Sequence, residues 1–165
     1  MVIAVYTKED IFDILSTIPD PEIPVVSIQE MGMLRDVILS EEGCEVIITP
    51  TYTGCPAMGM IEEDIKQTLK EKGVADVKVK LVYAPAWTTD WMSSEAKEKM
   101  RKYGIAPPVS VACNKLHAFG KNEFVKCPHC NSAQTELISM FGSTACKALY
   151  KCEKCKEPFE YFKCH

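Results

Sequence analysis

Cys127-Pro128-His129-Cys130 and Cys152-Glu153-Lys154-Cys155 are two C-x-x-C pairs with 21 residues between them. A C-x-x-C pair closes into a tight knuckle that turns two thiolates toward one ion. Two such knuckles supply the tetrahedral four-sulfur set that structural zinc prefers. The spacer exceeds the usual range by one residue. Leu137, Ile138, Met140 and Phe141, then Leu149-Tyr150, then Phe159, Tyr161 and Phe162 give short β-rich arms around the pairs. Residues 125–165 therefore read as a zinc ribbon with Cys127, Cys130, Cys152 and Cys155 as ligands. A segment of about 40 residues is too small for a hydrophobic core alone, so the ion is expected to supply much of its folding free energy, on the order of 10 kcal/mol. Iron in a rubredoxin-like four-cysteine site is the rival, since ligand type and geometry do not separate the metals; zinc is preferred because closed structural sites favour it.

The whole chain has 165 residues, enough for one ordinary domain plus this appendix and too few for two full-sized enzyme domains. Six of its nine cysteines follow position 126, and thiols clustered in this way in a reducing compartment point to metal rather than to disulfides. Cys146, Cys164 and His165 read as small buried or terminal residues, with exchange ligation or a second thiol site as the alternative. Cys113 and His117 fall in residues 107–124, which read as a linker. Residues 1–108 carry 11 Lys and Arg against 18 Asp and Glu, and residues 109–165 carry 8 against 5. Neither half has the dense basic stripe that neutralises several phosphates, so nucleic acid is not an expected partner. The longest uncharged stretch, residues 46–61, is interrupted by two prolines and two glycines and is too short to span a bilayer. The N-terminus, MVIAVYTKED, shows neither a basic leader nor an apolar run of signal length, and a cytoplasmic protein is expected.

Upstream of the ribbon, Thr7 caps a helix with Asp10 three residues on, and Ile11, Ile14, Leu15 and Ile18 repeat at the spacing of one buried face until Pro19. Asp20-Pro21-Glu22-Ile23-Pro24 follows. Its two prolines fix φ and remove two N–H donors, giving a stiff extended loop that holds both acids in place. Residues 34–40 and 44–51 read as a hairpin around Glu41-Glu42-Gly43. Thr53-Gly54-Cys55-Pro56 leads into a helix ending near Lys72, with Pro56 in the first helical position and Ile61, Ile65 and Leu69 recurring every four residues. Val77, Val79, Leu81 and Tyr83 alternate as a third strand, and a last helix runs over 90–103 to Gly104. The order helix, strand, strand, helix, strand, helix predicts a two-layer α+β domain over residues 1–106, a small sheet covered by helices.

The chemical point of this domain is Cys55. The pattern places it at a helix N-cap, where free N–H donors and the positive end of the dipole favour a thiolate, partly opposed by Glu62, Glu63 and Asp64. The alternative is an inert cysteine packed in the turn. All three histidines, 117, 129 and 165, lie outside the domain, so no His base is available to Cys55. A G-x-x-x-x-G-K-S/T phosphate loop is also missing. The domain reads as a binder or carrier rather than an enzyme. Of Trp87 and Trp91, at least one is expected in the core, with an aromatic docking patch as the alternative.

Through Asp20-Pro21-Glu22, Thr53-Gly54-Cys55-Pro56 and Tyr83-Ala84-Pro85-Ala86-Trp87, residues 1–106 resemble the small iron–sulfur cluster assembly domain of cytosolic and bacterial maturation factors. The tail carries Phe141-Gly142-Ser143-Thr144-Ala145-Cys146-Lys147-Ala148-Leu149-Tyr150-Lys151-Cys152 and Glu157-Pro158-Phe159-Glu160-Tyr161-Phe162-Lys163-Cys164-His165. It is similar to the PaaD/PaaJ family of phenylacetyl-CoA epoxidase (phenylacetate-CoA oxygenase) subunits. That resemblance implies a non-catalytic accessory protein of a bacterial ring-epoxidising multicomponent oxygenase in phenylacetate catabolism, maturing or delivering an iron–sulfur cluster for its reductase component. A structural or docking subunit without metal delivery is one alternative, and a zinc-ribbon nucleic-acid binder is another. The match to the family's acidic loop implies that Asp20 and Glu22 flank a cluster or partner site at Cys55. A protein-held cluster generally needs four ligands, and this domain offers only Cys55 and Cys44. Any cluster there is transient and shared, across a homodimer or with the recipient protein, while one structural zinc stays in the ribbon and the ribbon docks. The stretch 109–124 departs from the family pattern in being longer and in containing Cys113.

Overall fold

Thr7 and Asp10 cap the first helix reciprocally: Thr7 N–H donates to Asp10 Oδ2 at 2.8 Å and Asp10 N–H to Thr7 Oγ1 at 3.1 Å. The computed structural model describes residues 6–108 and 125–163; Cys113, His117, Cys164, His165 and residues 109–124 of the expected linker lie outside them. The described chain forms two compact units, which divide between Trp87 and Thr88.

In the first unit, helix α1 (Lys8–Leu15) buries Ile11 and Leu15 completely. Strands β1 (Leu34–Ser40) and β2 (Gly43–Ile48) form the expected antiparallel hairpin, and helix α2 (Met58–Glu71) crosses over to β3 (Val77–Leu81), which pairs parallel to β2. Parallel neighbours need such a crossover, and α2 serves as one. The sheet order is β1-β2-β3. Cys44, Val46 and Ile48 point to the buried side of β2, and Ile61, Ile65 and Leu69 form the buried stripe of α2. The hairpin turn needs glycine: Gly43 has φ 139°, and a Cβ there would lie 2.3 Å from the Asp76 carbonyl oxygen. Trp87 is core, its Nε1 donating to the Met31 carbonyl at 2.9 Å. Tyr83, expected to continue the alternation of β3, lies beyond the strand and is exposed.

The second compact unit begins at Thr88, upstream of the expected domain boundary at residue 106. It contains a 3₁₀ turn at Thr89–Trp91, helix α3 (Ser94–Tyr103, capped by Ser93 Oγ accepting from Ala96 N–H) and strand β4 (Ile105–Ala106). β4 pairs parallel to β7 (Pro158–Phe162), so this helix and strand belong with the ribbon. The four-stranded order is β4-β7-β6-β5, with β5 over Thr135–Ser139 and β6 over Lys147–Cys152. Ala106, Val125, Ala148, Tyr150, Phe159 and Tyr161 pack with Cys127 and Cys152 into one core. Tyr150 stacks on Phe159 and meets Tyr161 edge-on. The arms expected to line the metal site divide accordingly: β6 and β7 bury their aromatics, whereas Leu137, Ile138, Met140 and Phe141 face solvent.

Candidate metal centre and the Cys55 loop

The two knuckles repeat one backbone geometry. Cys127 N–H donates to Ser132 O at 2.9 Å and Asn131 N–H to Cys127 O at 2.9 Å; Cys152 N–H donates to Glu157 O at 3.0 Å and Lys156 N–H to Cys152 O at 2.9 Å. Asn131 (φ 59°) and Lys156 (φ 65°), each directly after the second cysteine of its pair, take the left-handed turn that brings the two sulfurs to the same side. β6 carries Cys152 at its C-terminal end, and the register Thr135↔Cys152 draws the first knuckle to the second.

The four Sγ atoms lie within 4.8 Å of one another, with Cys127 to Cys155 at 3.7 Å and Cys130 to Cys152 at 3.5 Å. Ligand sulfurs at the corners of a tetrahedron with Zn–S of about 2.3 Å stand about 3.8 Å apart, so the set has the size of a zinc site. Its acid–base behaviour asks for a cation. The Cys155 N–H, with further N–H and thiol donors, pulls Cys152 down to about 6 despite burial. Cys155 is pushed up to about 12: the Glu157 N–H opposes the rise, but desolvation and the three neighbouring sulfurs prevail. Burial raises Cys127 too. Cys152 ionises readily while Cys155 and Cys127 resist, which is the behaviour a divalent ion relieves.

Cys55 sits at the end of the first sheet where β2 and β3 both finish, beyond Ile48, whose carbonyl accepts from Val82 N–H at 2.9 Å. It is not an N-cap. α2 begins at Met58 with Ala57 as N-cap, because Cys55 and Pro56 are spent in a turn closed by Met58 N–H to Cys55 O at 3.3 Å. The half-buried thiol still receives the Ala57 N–H and a hydrogen bond from the Tyr52 side chain, but desolvation first, then the charges of Glu22 and Asp20, hold its pKa above 9.0. Burial and the two neighbouring acids thus favour the thiol over the thiolate that a helix-end position alone suggests. Tyr52 had no sequence signal beyond its place three residues before Cys55.

The same charges place the acidic loop beside Cys55, and the two acids differ. Asp20 is 6% exposed, and its Oδ1 accepts from the N–H groups of Glu22 and Ile23, each at 2.8 Å. It builds the turn that positions Glu22, which is only half-buried. Among the described residues, the four ribbon cysteines are the only three or more metal-ligand side chains gathered at one point, so Cys55, Asp20 and Glu22 do not form a closed ligand set. Cys44 does not join them. It is buried near the start of β2, four residues from Ile48 and about 13 Å away along the strand at about 3.3 Å per residue.

Comparison with known proteins bears on both sites. The chain is 51% identical over 155 residues, 94% of its length and 92% of the relative's, to the D component of the "Putative 1,2-phenylacetyl-CoA epoxidase" of Escherichia coli (strain K12). The chain belongs to the PaaD family. Residues 112–163 match the PaaD zinc beta ribbon domain, and residues 8–102 match the iron–sulfur cluster assembly protein family, a match that runs through α3 across the division between the units. The front of this PaaD-family chain is also 37% identical over 92 residues to the Fe-S protein maturation auxiliary factor YitW of Bacillus subtilis (strain 168), covering 54% of this chain and 89% of that one. In structure it is similar to the domain of unknown function DUF59 from Bacillus anthracis. That likeness has a TM-score of 0.51 and 31% identity, and covers 55% of this chain and 87% of the other. No helix among the described residues is long and apolar enough to cross a membrane.

Proposed function

We propose that this chain is a non-catalytic accessory protein of a phenylacetyl-CoA epoxidase, an adaptor that passes an iron–sulfur cluster or its iron to a protein component of that oxygenase, the reductase foremost. The observation that carries this reading is the contrast between the two thiol sites. Cys127, Cys130, Cys152 and Cys155 make a closed sulfur set that leaves no open position, suited to one structural zinc per chain, which cross-links the knuckles. Cys55 is the half-buried cysteine of the first unit and has no ligand set around it. A single sulfur can occupy one corner of a cluster only while other ligands come from elsewhere, from the recipient or from a second copy.

A neutral thiol suits transient ligation: the metal must displace the proton from Cys55, and loss of the metal restores the neutral form. The charge of Glu22 supports that return by disfavouring the free thiolate. Asp20 serves by shaping the loop. The resemblance of the front half to named maturation factors supports the same reading. The partners are proteins, not nucleic acid, and the cytoplasm is the site of action.

The test is a strain carrying Cys55→Ala. The expected result is normal accumulation of the variant, with an epoxidase reductase short of iron. A fully iron-loaded reductase would instead leave the chain as a structural subunit.

A further inference from the structure

Four large apolar side chains stand in solvent along one edge of the second unit. Leu137, Ile138, Met140 and Phe141 are 37%, 53%, 57% and 66% exposed, and no residue of β5 is buried. β5 is the terminal strand of its sheet among the described residues, so its outer row of N–H and C=O groups is a template for another strand.

The turn that follows β5 is held rigidly from below. Gly142 N–H donates to Lys147 O at 2.7 Å, Ser143 N–H to Glu160 Oε1 at 2.5 Å and Phe141 N–H to Ser139 Oγ at 3.2 Å. Lys163 Nζ donates to Met140 O at 3.0 Å and lies 4.7 Å from the centre of the Phe141 ring. Beneath them the buried Lys147 is paired with Glu160 at 3.3 Å. A Cβ on Gly142 would come within 2.6 Å of Glu160 Oε1 and would push that side chain aside. A buried ion pair is a weak source of net stability. Here its visible effect is to fix a turn that presents an exposed aromatic ring, and order established before binding lowers the entropic cost of binding.

Charge indicates what covers the patch. Residues 88–165 hold 12 Lys and Arg against 8 Asp and Glu, a balance of +4 that falls to +2 once four thiolates and a zinc ion are counted, and β5 itself carries one exposed acid, Glu136. Lys163 stands on the patch itself, and the exposed Lys126 adjoins Val125, whose carbonyl accepts from Thr135 Oγ1 at the start of β5. A second ribbon would bring like charge to like charge, whereas an acidic segment is attracted. We propose that the outer edge of β5 and the turn after it form a docking surface for an extended, acidic and apolar segment of a partner protein. That segment adds to β5 as a further strand, its apolar side chains on Ile138 and Phe141 and a carboxylate on Lys163. The choice of an epoxidase component as that partner rests on the function proposed above.

The test titrates the full-length chain with purified epoxidase components of the same organism, measuring affinity and hydrogen exchange. The parent is expected to bind one component with new protection at residues 136–142. Ile138→Thr/Phe141→Ser and, separately, Lys163→Glu should each weaken that binding at least tenfold, with the metal content and Cys55 alkylation rate of the parent. Should a variant lose its metal, the exchange footprint on the parent decides. Undiminished affinity in both variants, or protection confined to residues 20–60, overturns the surface and leaves the Cys55 reading standing. Slow exchange of the outer-edge amides of β5, those not bonded to β6, already present in the free chain, or a parent dimer that the variants dissociate, also overturns it by identifying residues 109–124 or a second copy as the occupant. Binding to no component overturns both proposals.

Discussion

Replacing Asp20 by alanine removes the acceptor of two backbone N–H groups, those of Glu22 and Ile23, each donating to Oδ1 at 2.8 Å beside a residue 6% exposed. Hydrogen bonds to a charged acceptor contribute about 1.5–3 kcal/mol each, and the two donors left behind have no side chain to replace it. Some opening of the loop to water offsets part of this loss, so the expected destabilisation is about 3 kcal/mol. For a unit of this size each kcal/mol shifts the midpoint by about 4–8 °C, so the melting of the first unit should fall by more than about 10 °C. Asp20→Asn keeps an Oδ1 acceptor and loses only the charge, costing about 1 kcal/mol, and Glu22→Gln should stay within about 0.5 kcal/mol of the parent. Scanning calorimetry reads the midpoints, and hydrogen exchange reads the Glu22 and Ile23 amides directly. If Asp20→Ala melts with the parent, or Asp20→Asn is no better than Asp20→Ala, the carboxylate does not build the loop and the division of roles between the acids is wrong.

Cys55 alkylation by iodoacetamide, followed by mass spectrometry, should rise through a midpoint above pH 9.0, since burial and the neighbouring carboxylates favour the thiol. Glu22→Gln should move that midpoint down, because it removes a like charge from beside the thiolate. Gly43→Ala should destabilise the first unit by at least about 2 kcal/mol in urea unfolding, since its Cβ meets the Asp76 carbonyl at a φ that L-residues rarely adopt. A strong zinc chelator should remove slow hydrogen exchange from β5, β6 and β7 while α1, α2 and β1–β3 keep theirs. The proposed site is confined to the second unit, and its ion contributes on the order of 10 kcal/mol there.

Local signals in the sequence carried far. The Thr7–Asp10 box, the Glu41-Glu42-Gly43 hairpin, the α2 stripe of Ile61, Ile65 and Leu69 and the paired C-x-x-C knuckles all announce themselves through spacing that the backbone imposes within a few residues. What depends on distant partners was not legible. Ile105-Ala106 carries no mark of which sheet it joins, and its pairing with β7 moves α3 and β4 to the ribbon. Pro56 suggested a first helical position, but the turn closed on Cys55 O delays α2 until Met58. Leu137, Ile138, Met140 and Phe141 read as arms around the cysteine pairs and are exposed, β5 being the terminal strand of its sheet among the described residues. Asp20 reads as an acid held in a stiff loop, but nothing in the sequence says that the N–H groups of Glu22 and Ile23 draw it inward.

The central claim is that Cys55 supplies one corner of a shared metal site while the ribbon keeps an ion of its own. Metal analysis of parent and Cys55→Ala chains, purified anaerobically and offered iron and sulfide, tests it most directly. The account predicts one zinc per chain in both proteins and iron only in the parent. Equal iron in the two, or zinc that departs with the Cys55 sulfur, would contradict it.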